Sequence, residues 1–252
     1  MSMTGNIEEF MFEGINFNAK QILDAGTGKG LFTTRLVQLV GKAKGNRKII
    51  SIDMDAEKFK NVTARLKGNQ KKYIEFIKAD LASLSFIEDN TFDIIFCHHI
   101  IHIINTRPLK ATQALYEFNR VLKTHGTLII NENYPINGAH SEEYKIFSEL
   151  KRLKTILYIY LNKQLSPRIY PEDIAYILKK IGFEKTNIKA FKDQTFHIKL
   201  FDHFFNEIKV EVQRIEDTFL KTFFENRLNT IRQTYKTTPG TIPPQYVIKL
   251  TK

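Results

Sequence analysis

Residues 21–30, which read Q-I-L-D-A-G-T-G-K-G, constrain this chain more than any other stretch. Ile22 and Leu23 suit a buried parallel strand, and Asp24 stands at its end. Gly26, Gly28 and Gly30 supply the positive φ angles and close backbone approach that a sharp turn into a helix requires. Leu31, Phe32, Arg35, Leu36, Leu39 and Val40 then recur at helical spacing. The stretch predicts a strand, a turn and a helix packed on a sheet, with the helix N-terminus facing a crevice where a ligand can touch backbone.

Nucleotide-binding folds of several kinds build such a turn, and the details separate them. A dinucleotide fingerprint needs a third glycine to pack the helix against the strand, and that place is Leu31. A P-loop needs Ser or Thr after its lysine, whereas Lys29 precedes Gly30. Asp24 would repel a pyrophosphate but could hold the ammonium of an amino-acid moiety. The run Ile22-Leu23-Asp24-Ala25-Gly26-Thr27-Gly28-Lys29-Gly30 resembles the first motif of class I S-adenosylmethionine-dependent methyltransferases. That resemblance implies cofactor contacts at Asp24, Gly26, Thr27 and Gly28.

The segments that follow carry the resemblance onward. Lys48 to Asp53 reads as a second strand ending in an acid, and in the family such an acid accepts hydrogen bonds from both ribose hydroxyls. Met54 would pack near the adenine. Asp55 is a rival for the ribose, but it precedes the helix-like run Ala56 to Lys67 and suits an N-cap. The third strand, Tyr73 to Ala79, leads into Asp80 and Leu81, which look like the family's adenine-binding turn. Phe92 to Cys97 resembles the fourth strand. Asp93 lies at its amino end and reads as structural, because ligands of open α/β sheets lie at the carboxyl ends. Cys97, His98 and His99 fall at that carboxyl end. Residues 119–130, N-R-V-L-K-T-H-G-T-L-I-I, resemble the helix end and fifth strand of small-molecule methyltransferases related to quinone-biosynthesis enzymes, with Thr124 and His125 departing from the usual Pro and Gly.

Composition sets the outer bounds. At 252 residues and 42% hydrophobic, with no apolar run of membrane-spanning length, the chain reads as one globular domain. The polar, acidic start from Met1 to Phe12 lacks the features of an export signal, so a cytoplasmic location is expected. The lone Cys97 permits no intrachain disulfide, and no Cys/His spacing suggests a metal site. A net charge of +11 raises nucleic acid as a partner. The basic residues are scattered among acids, with the densest groups, Lys42 to Lys48 and Lys71-Lys72, in expected surface loops, so a solvated basic surface is favoured.

Beyond Asn133 the resemblance thins. Tyr170-Pro171-Glu172-Asp173 opens a helix to Lys180, a sixth strand follows Glu184, and Gln245 to Leu250 suits a seventh. Ile7 to Phe17 reads as a short helix, over the crevice or simply packed. Ser141 to Leu161 is amphipathic. Phe204 to Ile231 reads as one long helix with Phe205, Ile208, Val212, Ile215, Phe219, Phe223 and Leu228 on one side and Asp202 as a candidate cap.

The expectation is a doubly wound α/β domain with a seven-stranded mixed sheet, the last strand antiparallel, and helical cap insertions. Its core would be 20–133, 170–191 and 243–252, with cap segments 1–19, 134–169 and 200–240. By resemblance the cofactor is S-adenosylmethionine and the partner a small-molecule acceptor. His98 is the first candidate for a general base, since imidazole titrates near neutral pH. His99 and Tyr134 are candidate substrate contacts, and His102 matches a histidine common in the family's next helix. An RNA or protein methyltransferase, or a cofactor-binding protein without turnover, stands as the alternative. The absence of N/D-P-P-Y/F after the fourth strand disfavours N-methylation of a planar amine.

Overall fold

A computed structural model describes residues 5–18, 20–106, 109–135, 142–191 and 194–252. The chain divides into two compact units, residues 1–133 with 167–191 and 246–252, and residues 134–166 with 192–245.

The first unit is built on a sheet. In chain order it contains α1 (Gly5–Phe12), β1 (Gln21–Ala25), α2 (Leu31–Lys42), β2 (Lys48–Asp53), α3 (Glu57–Thr63), β3 (Ile74–Lys78), β4 (Phe92–His98), α4 (Ile101–Ile104), α5 (Lys110–Val121) and β5 (Leu122–Asn133). After the excursion into the second unit come α7 (Pro171–Ile181), β6 (Lys185–Phe191) and β9 (Gln245–Thr251). Ile22 and Leu23 are fully buried, as a strand covered by helices on both faces requires. The strand order is β3-β2-β1-β4-β5-β9-β6. The pairs β1/β2, β1/β4, β2/β3 and β4/β5 are all parallel. Tyr134 N–H donates to Pro244 O (3.0 Å) and Lys252 N–H to Gly126 O (3.1 Å), so residue numbers run in opposition and β9 is antiparallel to β5. The sheet is therefore seven-stranded and mixed, as expected.

The chain leaves β1 toward β2 on one side and returns to β4 on the other. This places the topological switch point at the carboxyl ends of β1 and β4, where open α/β sheets bind ligands. At the opposite end Asp93 accepts the Gln21 N–H (2.9 Å) and pairs with Lys20 (3.2 Å) and Lys123 (3.0 Å), tying together the starts of three strands. The basic loops lie at that end too. Arg47, just before β2, donates to Val40 O (2.7 Å) at the end of α2, and its guanidinium lies 4.6 Å from the Tyr73 ring centroid.

Three sequence expectations change. Residues 5–18, expected as cap, contribute Ile7, Phe10 and Met11 to the core around β1. The helix expected to reach Lys67 stops at Thr63, and a 3-10 turn, Gly68–Tyr73, follows. The long helix from Phe204 to Ile231 is two helices.

Those two lie in the second unit, which comprises α6 (Lys145–Tyr160), β7 (Gln194–Thr195), α8 (Ile198–Val212), α9 (Thr218–Thr237) and β8 (Thr241–Ile242). The start expected for α6 at Ser141 lies outside the described residues. Asp202 sits inside α8 and pairs with Arg232 (3.4 Å), so it caps nothing. Asp217 is the cap, accepting the Leu220 N–H (2.7 Å) and opening α9. The break resets the helical phase. Phe224, Leu228, Ile231 and Tyr235 are buried, while Phe219 is 84% exposed. With Phe201, Phe205, Ile208 and Val212 of α8 they form the core of this unit against Phe147, Leu150, Leu153 and Leu157 of α6. No helix among the described residues is long and apolar enough to cross a membrane.

Candidate active site

The register of the parallel strands brings the candidate residues to one edge. Ala25 pairs with Ile52 and with Cys97, Asp53 with Lys78, and His98 with Asn131, so β1, β2, β4 and β5 end level.

At the end of β1, Asp24 is 1% exposed. Its Oδ2 accepts from Thr33 Oγ1 (2.7 Å) on α2 and from Ser51 Oγ (2.6 Å) on β2. Its Oδ1 is buried with no hydrogen-bond partner among the described residues. Burial is the dominant influence and pushes the carboxyl up to about 6, against the two hydroxyl donors.

The turn that follows holds its three glycines for different reasons. All have positive φ (94°, 51° and 77° for Gly26, Gly28 and Gly30). A Cβ on Gly26 would meet the Ile100 side chain at 2.8 Å, and one on Gly30 would meet Val62 Cγ2 at 2.6 Å. A Cβ on Gly28 would meet only Gly26 O, at 4.0 Å. Packing thus excludes a side chain at Gly26 and Gly30, whereas Gly28 borders open space. The turn is anchored by Gly26 N–H to Ile52 O (2.9 Å) and by Thr27 Oγ1 against Ser51 Oγ (2.7 Å).

Asp53, half-buried at the end of β2, accepts the Gly28 N–H (2.9 Å) and the Asp55 N–H (2.9 Å), one on each carboxylate oxygen. Each oxygen keeps a further lone pair. Asp55 accepts the Glu57 N–H (3.0 Å), but Ala56 rather than Asp55 stands at the N-cap of α3. Met54 is 64% exposed beside them. Past β3, Asp80 accepts the Ala82 N–H (3.0 Å) and pairs with Lys110 at the start of α5, while Leu81 is buried.

On the β4 side Cys97 is fully buried. Burial first, then the Glu132 and Asp24 carboxylates, push its thiol well above the ordinary range, so it is no nucleophile at neutral pH. The His98 ring stacks on Phe32 (4.7 Å between centroids, 3° between planes) and meets His99 edge-on at 4.4 Å. Its Nε2 is buried without a hydrogen-bond partner among the described residues. Burial, then the neighbouring His99, lower its pKa well below the ordinary value, so it stays neutral at pH 7. His99 has φ 54°, a left-handed conformation uncommon outside glycine. It is held there by its N–H to Asn131 O (2.8 Å) and by Asn133 Nδ2 at 3.2 Å from its Nδ1. Tyr134 follows directly after β5 and belongs to the second unit.

The sequence reading missed Glu132 and Arg168. Glu132 is 2% exposed near the end of β5, with Oε2 2.8 Å from His102 Nδ1 and 3.8 Å from His99 Nδ1. The signal was present: the polar run Asn131-Glu132-Asn133 follows the apolar Leu128-Ile129-Ile130 at the end of β5, as Asp24 and Asp53 follow apolar runs in theirs. Burial alone would raise its pKa, yet the charge and hydrogen bond of His102, with His99 behind, hold the carboxyl well below the usual carboxylate range. Arg168 is electrostatically coupled to Glu132, and burial lowers its pKa. No group of three or more His, Cys, Asp or Glu among the described residues is arranged to hold a metal ion.

Known proteins share this architecture. A Bacillus halodurans protein classed as a methyltransferase superposes with a TM-score of 0.62 at 16% identity, 98% of each chain being covered. A SAM-dependent methyltransferase from Archaeoglobus fulgidus gives 0.53 at 17% identity, covering 98% of this chain and 90% of that one. The [4+2]-cyclase SpnF gives 0.58 at 17% identity, covering 98% and 80%. At such identities these likenesses speak for the fold. No curated protein matches by sequence. The family model described as a methyltransferase domain matches residues 16–182, and with the glycine turn, the switch point and the level carboxyl ends all inside that span, the chain belongs to this methyltransferase family.

Proposed function

We propose that the protein transfers a methyl group from S-adenosylmethionine to a small-molecule acceptor. The observation that carries this is Asp24, a buried carboxylate whose Oδ1 has no partner among the described residues. Such a group is costly unless a cation arrives, and the donor's amino-acid ammonium is one. The open space beside Gly28 leaves room for a ligand against the turn. Asp24 with the backbone of Gly26, Thr27 and Gly28 would hold the amino-acid part, Asp53 the ribose hydroxyls, and Met54, Asp80 and Leu81 the adenine, with Cys97 as apolar floor. When bound, the cofactor supplies an electrophilic methyl carbon, which an acceptor lone pair attacks while the carbon–sulfur pair stays on sulfur.

His98, His99 and Tyr134 are proposed as acceptor contacts. The neutral, buried imidazole of His98 is a weak proton acceptor, so we assign it contact rather than proton removal. The reading also takes both compact units as serving one activity in the cytoplasm. A small acceptor is preferred over RNA because the dense basic loops of the first unit lie at the opposite end of the sheet, with Arg47 engaged by α2 and Tyr73.

Calorimetry with S-adenosylhomocysteine tests the site. Asp53→Ala should weaken binding by about 2 to 4 kcal/mol, the loss of two charge-assisted hydrogen bonds, while Asp55→Ala and NAD as a control ligand change or show little. Unchanged affinity in Asp53→Ala with loss in Asp55→Ala would move the ribose role to Asp55. Tyr134→Ala and His98→Ala should stay within about threefold of wild-type cofactor affinity, since the proposed cofactor contacts lie on other residues.

A further inference from the structure

Glu132, His102 and His99 form a cluster of titratable side chains at this edge that the cofactor reading does not use. Glu132 on β5 is buried, and its carboxylate meets His102 of α4 twice, at Nδ1 (2.8 Å) and at the backbone N–H (3.3 Å). An ionised carboxylate only accepts hydrogen bonds, so His102 Nδ1 must carry the proton it donates. In the neutral ring the lone pair then sits on Nε2. Among the described residues nothing hydrogen-bonds to that nitrogen, and 21% of the side chain is exposed. The charged and titratable groups electrostatically coupled to Glu132, besides His102, are His98 and His99 from β4 and the segment after it, Cys97 on β4 and Arg168 before α7. Of these, His98 is buried, stacked on Phe32 and neutral, and His99 has its Nδ1 against the Asn133 amide. Of these histidines, His102 combines a tautomer set by Glu132, an anionic support and a second ring nitrogen that no described residue hydrogen-bonds.

We propose that His102, oriented by Glu132, is the proton acceptor of the methyl-transfer site, and that the acceptor is a weakly acidic hydroxyl, a phenol or enol. This rests on the methyltransferase reading above. In the step the acceptor O–H bond breaks, its electron pair remains on oxygen as the attacking nucleophile, and the proton passes to His102 Nε2. The resulting imidazolium is balanced by Glu132. A thiol ionises near neutral pH without such help, whereas a phenol needs a base. Glu132 is the positioning residue in this assignment and His102 the catalytic one.

The experiment has two arms, both on the full chain. Nitrogen-15 NMR of histidine-labelled protein with S-adenosylhomocysteine bound reads the tautomer: neutral His102 should be the Nδ1–H form, with mixed forms in Glu132→Gln. Release of S-adenosylhomocysteine from S-adenosylmethionine is then measured with catechol, aniline and benzyl mercaptan as probes. Turnover should appear with catechol, fall at least 30-fold in His102→Gln and about tenfold in Glu132→Gln, with cofactor affinity within threefold throughout. A neutral His102 in the Nε2–H form, catechol turnover untouched by His102→Gln, or turnover only with the amine or thiol would overturn the assignment. So would no turnover of catechol with cofactor bound. Failure of the wild-type protein to bind S-adenosylmethionine would instead overturn the methyltransferase reading.

Discussion

Two carboxylates are buried at the same edge of one sheet and are pushed in opposite directions. Asp24 at the end of β1 rises from an ordinary value of 3.8 to about 6, because burial outweighs the Ser51 and Thr33 hydroxyls. Glu132 near the end of β5 is held below the ordinary range, because His102 and His99 outweigh an equal burial. Hydroxyl dipoles supply hydrogen bonds without charge, whereas an imidazole supplies a hydrogen bond and can also take up a proton beside the carboxylate. The difference separates two tasks. Asp24 keeps an oxygen that no described residue bonds, which the ammonium of the proposed cofactor would meet, whereas hydrogen bonds from His102 reach both oxygens of Glu132.

The contrast is broken most forcefully at Asp24. With its pKa raised on folding, the carboxyl adds no cost below about pH 4, where it is protonated in both states. Stability then falls as pH rises from 3.8 to about 6, and the full cost of about 3 kcal/mol stands above that window. Asp24→Asn should therefore stabilise the cofactor-free protein at pH 7 by about 1 to 3 kcal/mol, with the gain vanishing near pH 4. The same variant should lose roughly 100-fold or more in affinity for S-adenosylmethionine. Urea denaturation across pH 4 to 8 and calorimetry decide it; a variant less stable than wild type at pH 7 would mean that Asp24 is already paired in the free protein.

Glu132→Gln should act with the opposite sign. A depressed carboxyl contributes stability that is present above its ordinary 4.5 and is lost as pH falls below it. The variant should lose about 1 to 3 kcal/mol at pH 7 and lose less than wild type on acidification, read from the same denaturation series. If both variants moved stability in one direction, the two carboxylates would be equivalent after all.

Gly28→Ala sharpens the comparison by adding a methyl group where a Cβ would meet only Gly26 O. Its positive φ should cost about 1 kcal/mol of stability, with cofactor affinity down about tenfold if, as proposed above, the cofactor lies against this backbone. Gly30→Ala, whose Cβ would strike Val62, should lose more stability and proportionately less affinity. Thermal unfolding paired with calorimetry on the two variants distinguishes a glycine kept for ligand approach from one kept for packing.

Much of the first unit was legible because its signals are local. The alternation of apolar runs with acids predicted β1, β2 and the placement of Asp24 and Asp53, and the glycine spacing announced the turn before any contact was known. The second unit was less legible. The Phe-rich stretch from Phe204 to Ile231 contains neither glycine nor proline, so nothing in its periodicity marks the break that Asp217 makes, and the phase carried past that point put Phe219 and Phe223 on the wrong face.

By itself the sequence determined the strand–turn–helix unit, the parallel half of the sheet and the acids Asp24 and Asp53 that end β1 and β2, since these follow from hydrophobic periodicity and glycine stereochemistry over a few residues. Only the tertiary structure picked out Glu132 and set how it and Asp24 hold their protons. Asp24 and Glu132 are more than 100 residues apart in the chain, and their opposite protonation behaviour comes from partners on other elements, Ser51 and Thr33 for one, His102 and His99 for the other. The low-dielectric interior makes such neighbours decisive, because a buried charge is set by whatever lies within a few ångströms and by nothing in its own local sequence.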